Sequence, residues 1–410
     1  MTSITLSELV RQTRELVSDP EDRLYGDLDA SMADAIKCLL EGIAASEVEK
    51  RAGLRLYERG ECRQDYRNGY RHRKVQTAYK TITIRIPRLR GQGYVPSYLE
   101  PGHRAIAEVE DWVSKALLVG MHRADIIRFM EETTGCRPSD KLIARVQEGL
   151  DAKARAWKER KLKGKYVYMY LDAAWVKDIV GISASRICIL TAVGIGADGV
   201  KEILGFERAQ RECESSWRGF LSRLVHRGLD PRLLRLVISD EHKGILPAIS
   251  EILGDVSYQL CWAHRVRNIL KAAEKKDRRE LVDGLRQIYR AAHKTAAKTA
   301  FREWKLRWLD KYPQLIANTE EDLGYLLNFY DCPELHWKYL RTTNPIERVF
   351  LELRRRRFGC GAFANRESSE RIVFGIFLWL NGLWECKNIW QERAKRDNTV
   401  QQLARVRLVA

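Results

Sequence analysis

Several patterns are missing from this chain. Its nine cysteines are odd in number and irregular in spacing, and no Cys-x-x-Cys pair occurs. That speaks against a disulfide framework and for a reducing compartment. No run reaches the roughly 18 apolar residues that a spanning helix needs. The longest candidate, Ile372 to Trp384, is broken by Gly375, Asn381 and Gly382 and reads as a buried core helix. The first residues, Met1-Thr-Ser-Ile-Thr, have no basic start followed by an apolar stretch, so no signal peptide is expected. There is no Gly-x-x-x-x-Gly-Lys-Ser/Thr, no nucleophile elbow around a serine, and Gly194-Ile-Gly196 lacks the rest of a dinucleotide fingerprint. The expectation is a cytoplasmic protein with no membrane partner and no nucleotide cofactor.

What the chain does have is positive charge. Its 410 residues carry a formal net charge of +17, which calls for a polyanionic partner. With 45% hydrophobic residues it can bury proper cores, and its length suggests about two to four domains.

Residues 1–60 read as helical, with Ala35, Leu39, Leu40 and Ile43 at helical spacing. Residues 61–104 read as a basic arm with a small β element. Arg67, Arg71, Arg73 and Lys74 crowd a run with turn signals, and a short strand with Ile82, Ile84 and Ile86 on one face ends at Pro87. Residues 105–163 give three helices and a linker. The stripes are Val109, Trp112, Val113, Ala116 and Leu117, then Ile126 to Met130, then Leu142, Ile143 and Val146. The turn Thr134-Gly-Cys-Arg-Pro138 precedes a third helix showing Lys141 and Arg145, a helix-turn-helix pattern for DNA binding.

Residues 164–270 alternate differently. Strands are expected at Tyr166–Asp172, Arg186–Gly194, Val200–Arg208 and Leu233–Asp240, with a fifth at Val256 to Leu260. Ser215 can cap a helix bearing Trp217, Phe220, Leu221, Leu224 and Val225, and another helix runs over Ile245 to Leu253. Three strands followed by strand–helix alternation is the order of an RNase H-like mixed sheet. Residues 271–335 are basic and helical, an insertion, and 336–410 resume the domain. The fold class is therefore multidomain α+β, with an RNase H-like catalytic domain carrying a helical insertion, preceded by a helical DNA-binding region.

Three acids fit one metal site on this scaffold. Asp172 and Asp240 each end an apolar run, at the first and fourth strands of the same inferred sheet. Glu347 lies in the first turn of a downstream helix. Such carboxylates can hold two Mg²⁺ or Mn²⁺ ions about 4 Å apart and cut phosphodiesters. Each has a plainer reading. An Asp at a strand end starts turns, and Asn344, Pro345 and Glu347 spell a capping box. Cys261 and His264 resemble half a zinc site, but no second pair completes it, so both, with His242, are candidates for active-site support. Arg354, Arg355, Arg356 and Arg357, with Arg265 and Arg348, are candidates to grip flanking phosphates. Trp304 and Trp308 can stack on an extruded base or fill a core.

Four ordered blocks then resemble one family. Leu171-Asp-Ala-Ala-Trp-Val-Lys177, Ile238-Ser-Asp-Glu-His-Lys-Gly244, Cys261-Trp-Ala-His-Arg-Val-Arg-Asn268 and Thr342-Thr-Asn-Pro-Ile-Glu-Arg348 followed by Leu353-Arg-Arg-Arg356 are similar to the signature blocks of Mutator-type transposases of bacterial insertion sequences. The resemblance covers roughly residues 60 to 390. It implies Asp172, Asp240 and Glu347 as the catalytic acids. It also implies two divalent metals, cleavage at terminal inverted repeats and joining of the 3′-OH to target DNA. At least a dimer on DNA and a nucleoid-associated location follow. Two other readings remain: an inactive, transposase-derived repressor, and a nuclease of the same fold without strand transfer.

Overall fold

The computed structural model describes residues 21–390, less 78–79, 92, 100–104, 136, 181–182, 241–243, 358–362, 364 and 386. Side chains are described for these residues except 21–30, 107–108, 134, 178–180, 183–184 and 356–357. The expectations on His242, on the Arg356 and Arg357 side chains, on the first twenty residues and on the C-terminal tail lie outside the described residues. The chain is a mixed α+β protein that divides into two units, residues 1–117 with 121–149, and 118–120 with 150–410.

In the first unit, strands β1 (Arg67–Gln76) and β2 (Thr81–Leu89) pair antiparallel. Ile82, Ile84 and Ile86 alternate inward, as period-two burial requires, and pack with Leu40, Ala44 and Val48 of the Glu21–Ala52 helix. Two expectations fail here. The basic run from Arg67 is a strand, not a turn, with its irregularity at Gly69, where φ is +70°. Nor does Pro87 end β2, which continues to Leu89 with Pro87 opposite Tyr70. In a two-stranded ribbon both strands are edges, where proline is tolerated.

The three expected helices are Ala107–Leu118, Arg123–Thr134 and Asp140–Glu159. Val109, Val113, Ala116 and Leu117 are buried, whereas Trp112 is 39% exposed and leaves the stripe. Gly135 closes the second helix at φ 62°, its N–H bonded to the Glu131 carbonyl, the left-handed cap that glycine adopts without strain.

The second unit is built on a five-stranded sheet in the order β5-β4-β3-β6-β7. Strands β3 (Tyr166–Val180), β4 (Ser183–Gly196) and β5 (Lys201–Ala209) form an antiparallel meander, and β6 (Leu236–Ser239) and β7 (Ser257–Leu260) continue it in parallel from β3. Parallel neighbours need crossovers, and the Glu214–His226 and Ile245–Leu253 helices supply them. Between β4 and β5, Gly199 holds φ +82° while its N–H reaches the Gly196 carbonyl.

Strand limits differ from expectation in an informative way. β3 runs eight residues past Asp172, because β4 remains paired with it as far as Val180. The fourth strand begins at Leu236, after a 3₁₀ turn at Pro231–Leu233. Cys213, not Ser215, stands at the N-cap of the following helix. In β7, Gln259 is buried between Tyr258 and Leu260 instead of facing out. It is satisfied there, donating to the Leu326 carbonyl at 3.0 Å and accepting from Phe329 N–H at 2.8 Å.

Helices Trp262–Ala272, Arg278–Tyr289, Lys294–Trp308 and Pro313–Glu321 follow β7. Trp304 and Trp308 are buried among them, so the core reading of these two tryptophans holds and the base-stacking one falls. The Asn344–Arg357 and Arg366–Trp384 helices complete the unit. Among the described residues no helix is long and apolar enough to cross a membrane.

Candidate active site

Asp172 and Asp240 meet through strand register. β3 and β6 pair in parallel with a constant offset, Tyr168 with Leu236 and Tyr170 with Ile238. Two residues further along that register, Asp172 comes opposite Asp240, just where β6 stops. Asp172 is thus not at the end of its own strand. It lies just past the end of its neighbour β6, whose last strand residue is Ser239. The Asp240 backbone is fixed, its carbonyl accepting from Ser239 Oγ at 2.9 Å and from the Tyr258 hydroxyl at 3.1 Å.

Glu347 arrives from the Asn344–Arg357 helix, whose buried stripe is Ile346, Val349, Phe350 and Leu353. The expected capping box is not formed. The Thr343 carbonyl accepts from both Ile346 N–H and Glu347 N–H at 3.0 Å, so the first intrahelical bond starts one residue earlier than Asn344. That leaves the Glu347 carboxylate with other company: His264 Nε2 and Arg267 Nη2, each 3.7 Å from its Oε1. Asp172, Asp240, Glu347, His264 and Arg354 line one cleft of about 500 Å³, together with Glu212, Trp175 and Arg267.

The cleft is electrostatically unfinished. It gathers four carboxylates (Asp172, Glu212, Asp240 and Glu347) against the guanidiniums of Arg267 and Arg354. Burial pushes the Asp172 carboxyl well above the usual range, and the nearby charges of Asp240, Glu212 and Glu347 push the same way. The Ala173 N–H, donated to Asp172 Oδ1 at 2.7 Å, offsets only part of this. Asp240 Oδ1 is buried with no hydrogen-bond partner among the described residues. A buried acceptor without a donor is costly, and a cation is the natural remedy. The donor set, carboxylate oxygen throughout, suits Mg²⁺ or Mn²⁺. As the side chains stand, no three His, Cys, Asp or Glu among the described residues are close enough to hold one ion.

Cys261 and His264 have a definite structural place. Cys261 heads the Trp262–Ala272 helix, and its N–H donates to the Ser239 carbonyl at 2.9 Å. Its buried Sγ accepts from Thr343 N–H at 3.2 Å, and His264 Nδ1 lies 3.4 Å from Thr343 Oγ1. Burial raises the Cys261 thiol pKa. The Cys-x-x-His segment is therefore a clip. One end holds the strand carrying Asp240, and the other holds the residue that starts the Glu347 helix.

The basic residues sort unevenly. Arg354 reaches the cleft, Arg348 is exposed, and Arg355 pairs with Glu352 at 2.6 Å. Arg265 is a correction: it is buried and paired with Asp322, so it does not face a ligand. In the first unit Lys74 and Lys141 are exposed, while Arg145 is paired with Glu110. Arg71 donates to the Tyr94 carbonyl at 2.8 Å, Arg67 to the Leu54 carbonyl at 3.3 Å, and Arg73 is half-buried. Glu212 and Arg267 were not anticipated. Glu212 follows β5 in the polar run Arg208-Ala-Gln-Arg-Glu212, whose position ahead of a crossover helix was the available clue.

Comparison with known proteins identifies the family. Residues 7–385 match the family described as Transposase, Mutator family, and the chain belongs to that family. It is 32% identical over 364 residues to the transposase for insertion sequence element IS406 of Burkholderia multivorans, covering 88% of this chain and 93% of that one. It is 30% identical over 354 residues to the transposase for element ISRM5 of Rhizobium meliloti, covering 86% and 88%. To the transposase for IS256 in transposon Tn4001 of Staphylococcus aureus it is 29% identical over 332 residues, covering 80% and 84%.

Proposed function

We propose that this transposase cuts and joins DNA at the Asp172–Asp240–Glu347 cleft of an RNase H-like domain. The carrying observation is the convergence of three acids, distant in sequence, on one cleft by strand register and a clipped helix. Asp172, Asp240 and Glu347 would hold two Mg²⁺ or Mn²⁺ ions, which supply Lewis acidity and a water of lowered pKa. With four carboxylates on the cleft against two guanidiniums, a bound divalent cation would offset the acids where a phosphodiester enters.

The chain's own residues do the remaining work. Arg267 and Arg354 give the phosphates flanking the scissile bond their donors. The Cys261–Thr343–His264 clip fixes the start of the Glu347 helix and so keeps Glu347 on the cleft. Water adds to phosphorus at the element's end, the P–O3′ bond breaks, and the released 3′-oxygen takes up a proton. That 3′-hydroxyl would then attack a phosphorus of target DNA in the same cleft, giving up its proton as the target's own P–O3′ bond breaks and the departing target 3′-oxygen is protonated. The basic β1 strand and the helix-turn-helix candidate at residues 105–163 would recognise the terminal inverted repeats, with at least a dimer holding two ends.

The test is cleavage of a duplex carrying the terminal repeat and its flank. Wild-type protein with Mg²⁺ should release a 3′-OH and form joined product. Asp240→Asn and Glu347→Gln should lose cleavage by more than about 100-fold while keeping their circular dichroism and repeat binding. Equal nicking by wild type and Asp240→Asn defeats the assignment. Repeat binding without any nicking would mark a repressor, and nicking without joining a nuclease.

A further inference from the structure

Trp175 is out of place as a packing residue. It lies in β3, three residues beyond Asp172, yet it is 41% exposed and lines the acidic cleft. Three residues of strand span about 10 Å, within reach of a nucleotide beside a phosphate held at Asp172. Its cross-strand partner is Cys188, and the diagonal neighbour Arg186 places its guanidinium 5.3 Å from the ring centroid. An arginine stacked on an indole from the neighbouring strand restricts the ring's movement. Arg267 and Arg354 line the same cleft, and guanidiniums are suited to phosphate contacts. A large aromatic ring, steadied by one guanidinium and set among groups that bind a sugar-phosphate chain, is the composition of a stacking platform for a nucleobase.

We propose that Trp175 stacks on an unpaired base of the DNA end, next to the scissile phosphate. The inference rests on the assignment of the cleft as the DNA-cleaving centre. It adds that the duplex opens locally at the cut, and that the indole takes up the base that unstacks. Trp304 and Trp308, the two tryptophans that sequence spacing singled out, are buried, whereas Trp175 lines the cleft.

The experiment uses the full chain and end duplexes bearing 2-aminopurine at single positions on either side of the cut. Wild type should quench the probe at one position in the presence of Mg²⁺. Trp175→Ala should lose that quench and cleave about 5- to 100-fold more slowly, and Trp175→Phe should keep most of both. Trp175→Leu separates stacking from packing, since it keeps apolar bulk without a ring. If Leu restores quench and rate as well as Phe does, or if Ala matches wild type, the proposal is overturned. It is equally overturned if Trp175→Ala changes the oligomeric state in the absence of DNA, because the ring is then a protein contact. Should wild type quench the probe without cutting, stacking stands and the catalytic reading fails. Cutting without a quench at any position has the opposite meaning: the cleft cleaves DNA, and the stacking role of Trp175 is overturned.

Discussion

Asp172 is the residue whose surroundings make the sharpest demand. Its folded-state pKa is raised by burial and by neighbouring carboxylates. A carboxyl raised on folding holds its proton more tightly in the native state. Its contribution to stability is therefore present below the unfolded value, near 3.9, and is lost as pH climbs toward the raised one. At neutral pH, well above the unfolded value, the metal-free protein bears this cost. Asp172→Asn should consequently raise the melting temperature of EDTA-treated protein at pH 7, and the gain should shrink as pH falls toward 4. Mg²⁺ at about 100 times its dissociation constant should stabilise wild type by about 2.7 kcal/mol for each site filled, a rise of several degrees, and should leave the Asn variant unmoved. A variant that melts lower than wild type without metal would show that the charge cluster is compensated in some other way. His264 makes a different demand. His264→Ala removes the group beside Thr343 and Glu347 while leaving all three acids in place. Cleavage should fall about 10- to 100-fold, and raised Mg²⁺ should recover part of it, a rescue that Glu347→Gln cannot show.

Among the elements, two of the helices after β7 approach closely at Gly284. Gly284 faces Trp304, and a Cβ built there would stand 2.3 Å from the indole Cδ1. Trp304 in turn donates its N–H to the Leu281 carbonyl at 3.2 Å. Trp304→Ala should cost about 3–5 kcal/mol, Gly284→Ala should destabilise by overpacking, and the double variant should be less destabilised than the sum of the two, read by urea unfolding. Strict additivity would mean that the two helices do not meet there. This contact could not be read from sequence, because a glycine within a helix names no partner. Other features could. The alternation of Ile82, Ile84 and Ile86 and the stripe Ile346, Val349, Phe350 and Leu353 follow from period alone, and both are buried as expected. The acids of the cleft were legible for a partly different reason from the one that operates. Asp172 was expected at its strand's end, and it is the neighbouring β6 that ends. Only pairing register, which sequence does not carry, reveals that distinction. The capping motif at Asn344 failed similarly: the tertiary bond from Thr343 N–H to Cys261 Sγ fixes where the helix begins.

At the scale of the whole molecule, the net charge of +17 predicts that DNA binding is driven largely by counterion release. The charge is not evenly available, however. Lys74 and Lys141 are exposed, whereas Arg145 is paired with Glu110 and Arg265 is buried against Asp322. A cation already matched by a carboxylate releases no counterion when DNA arrives, and a free one does. Plots of log affinity against log salt should therefore lose about one unit of slope for Lys74→Ala and for Lys141→Ala. Arg265→Ala should leave the slope nearly unchanged and instead lower stability, since it strands Asp322 in a partly buried site. Arg145→Ala should also spare the slope if its ion pair persists on DNA. Measured on the terminal-repeat duplex and on an unrelated duplex of equal length, the two lysines should separate further. Lys141, on the third helix of the helix-turn-helix candidate, should cost more affinity on the repeat than on unrelated DNA. Lys74, on the basic strand, should cost both alike. If Lys141→Ala weakens the two duplexes equally, the third helix contacts only phosphates and the recognition of base sequence must lie elsewhere on the protein.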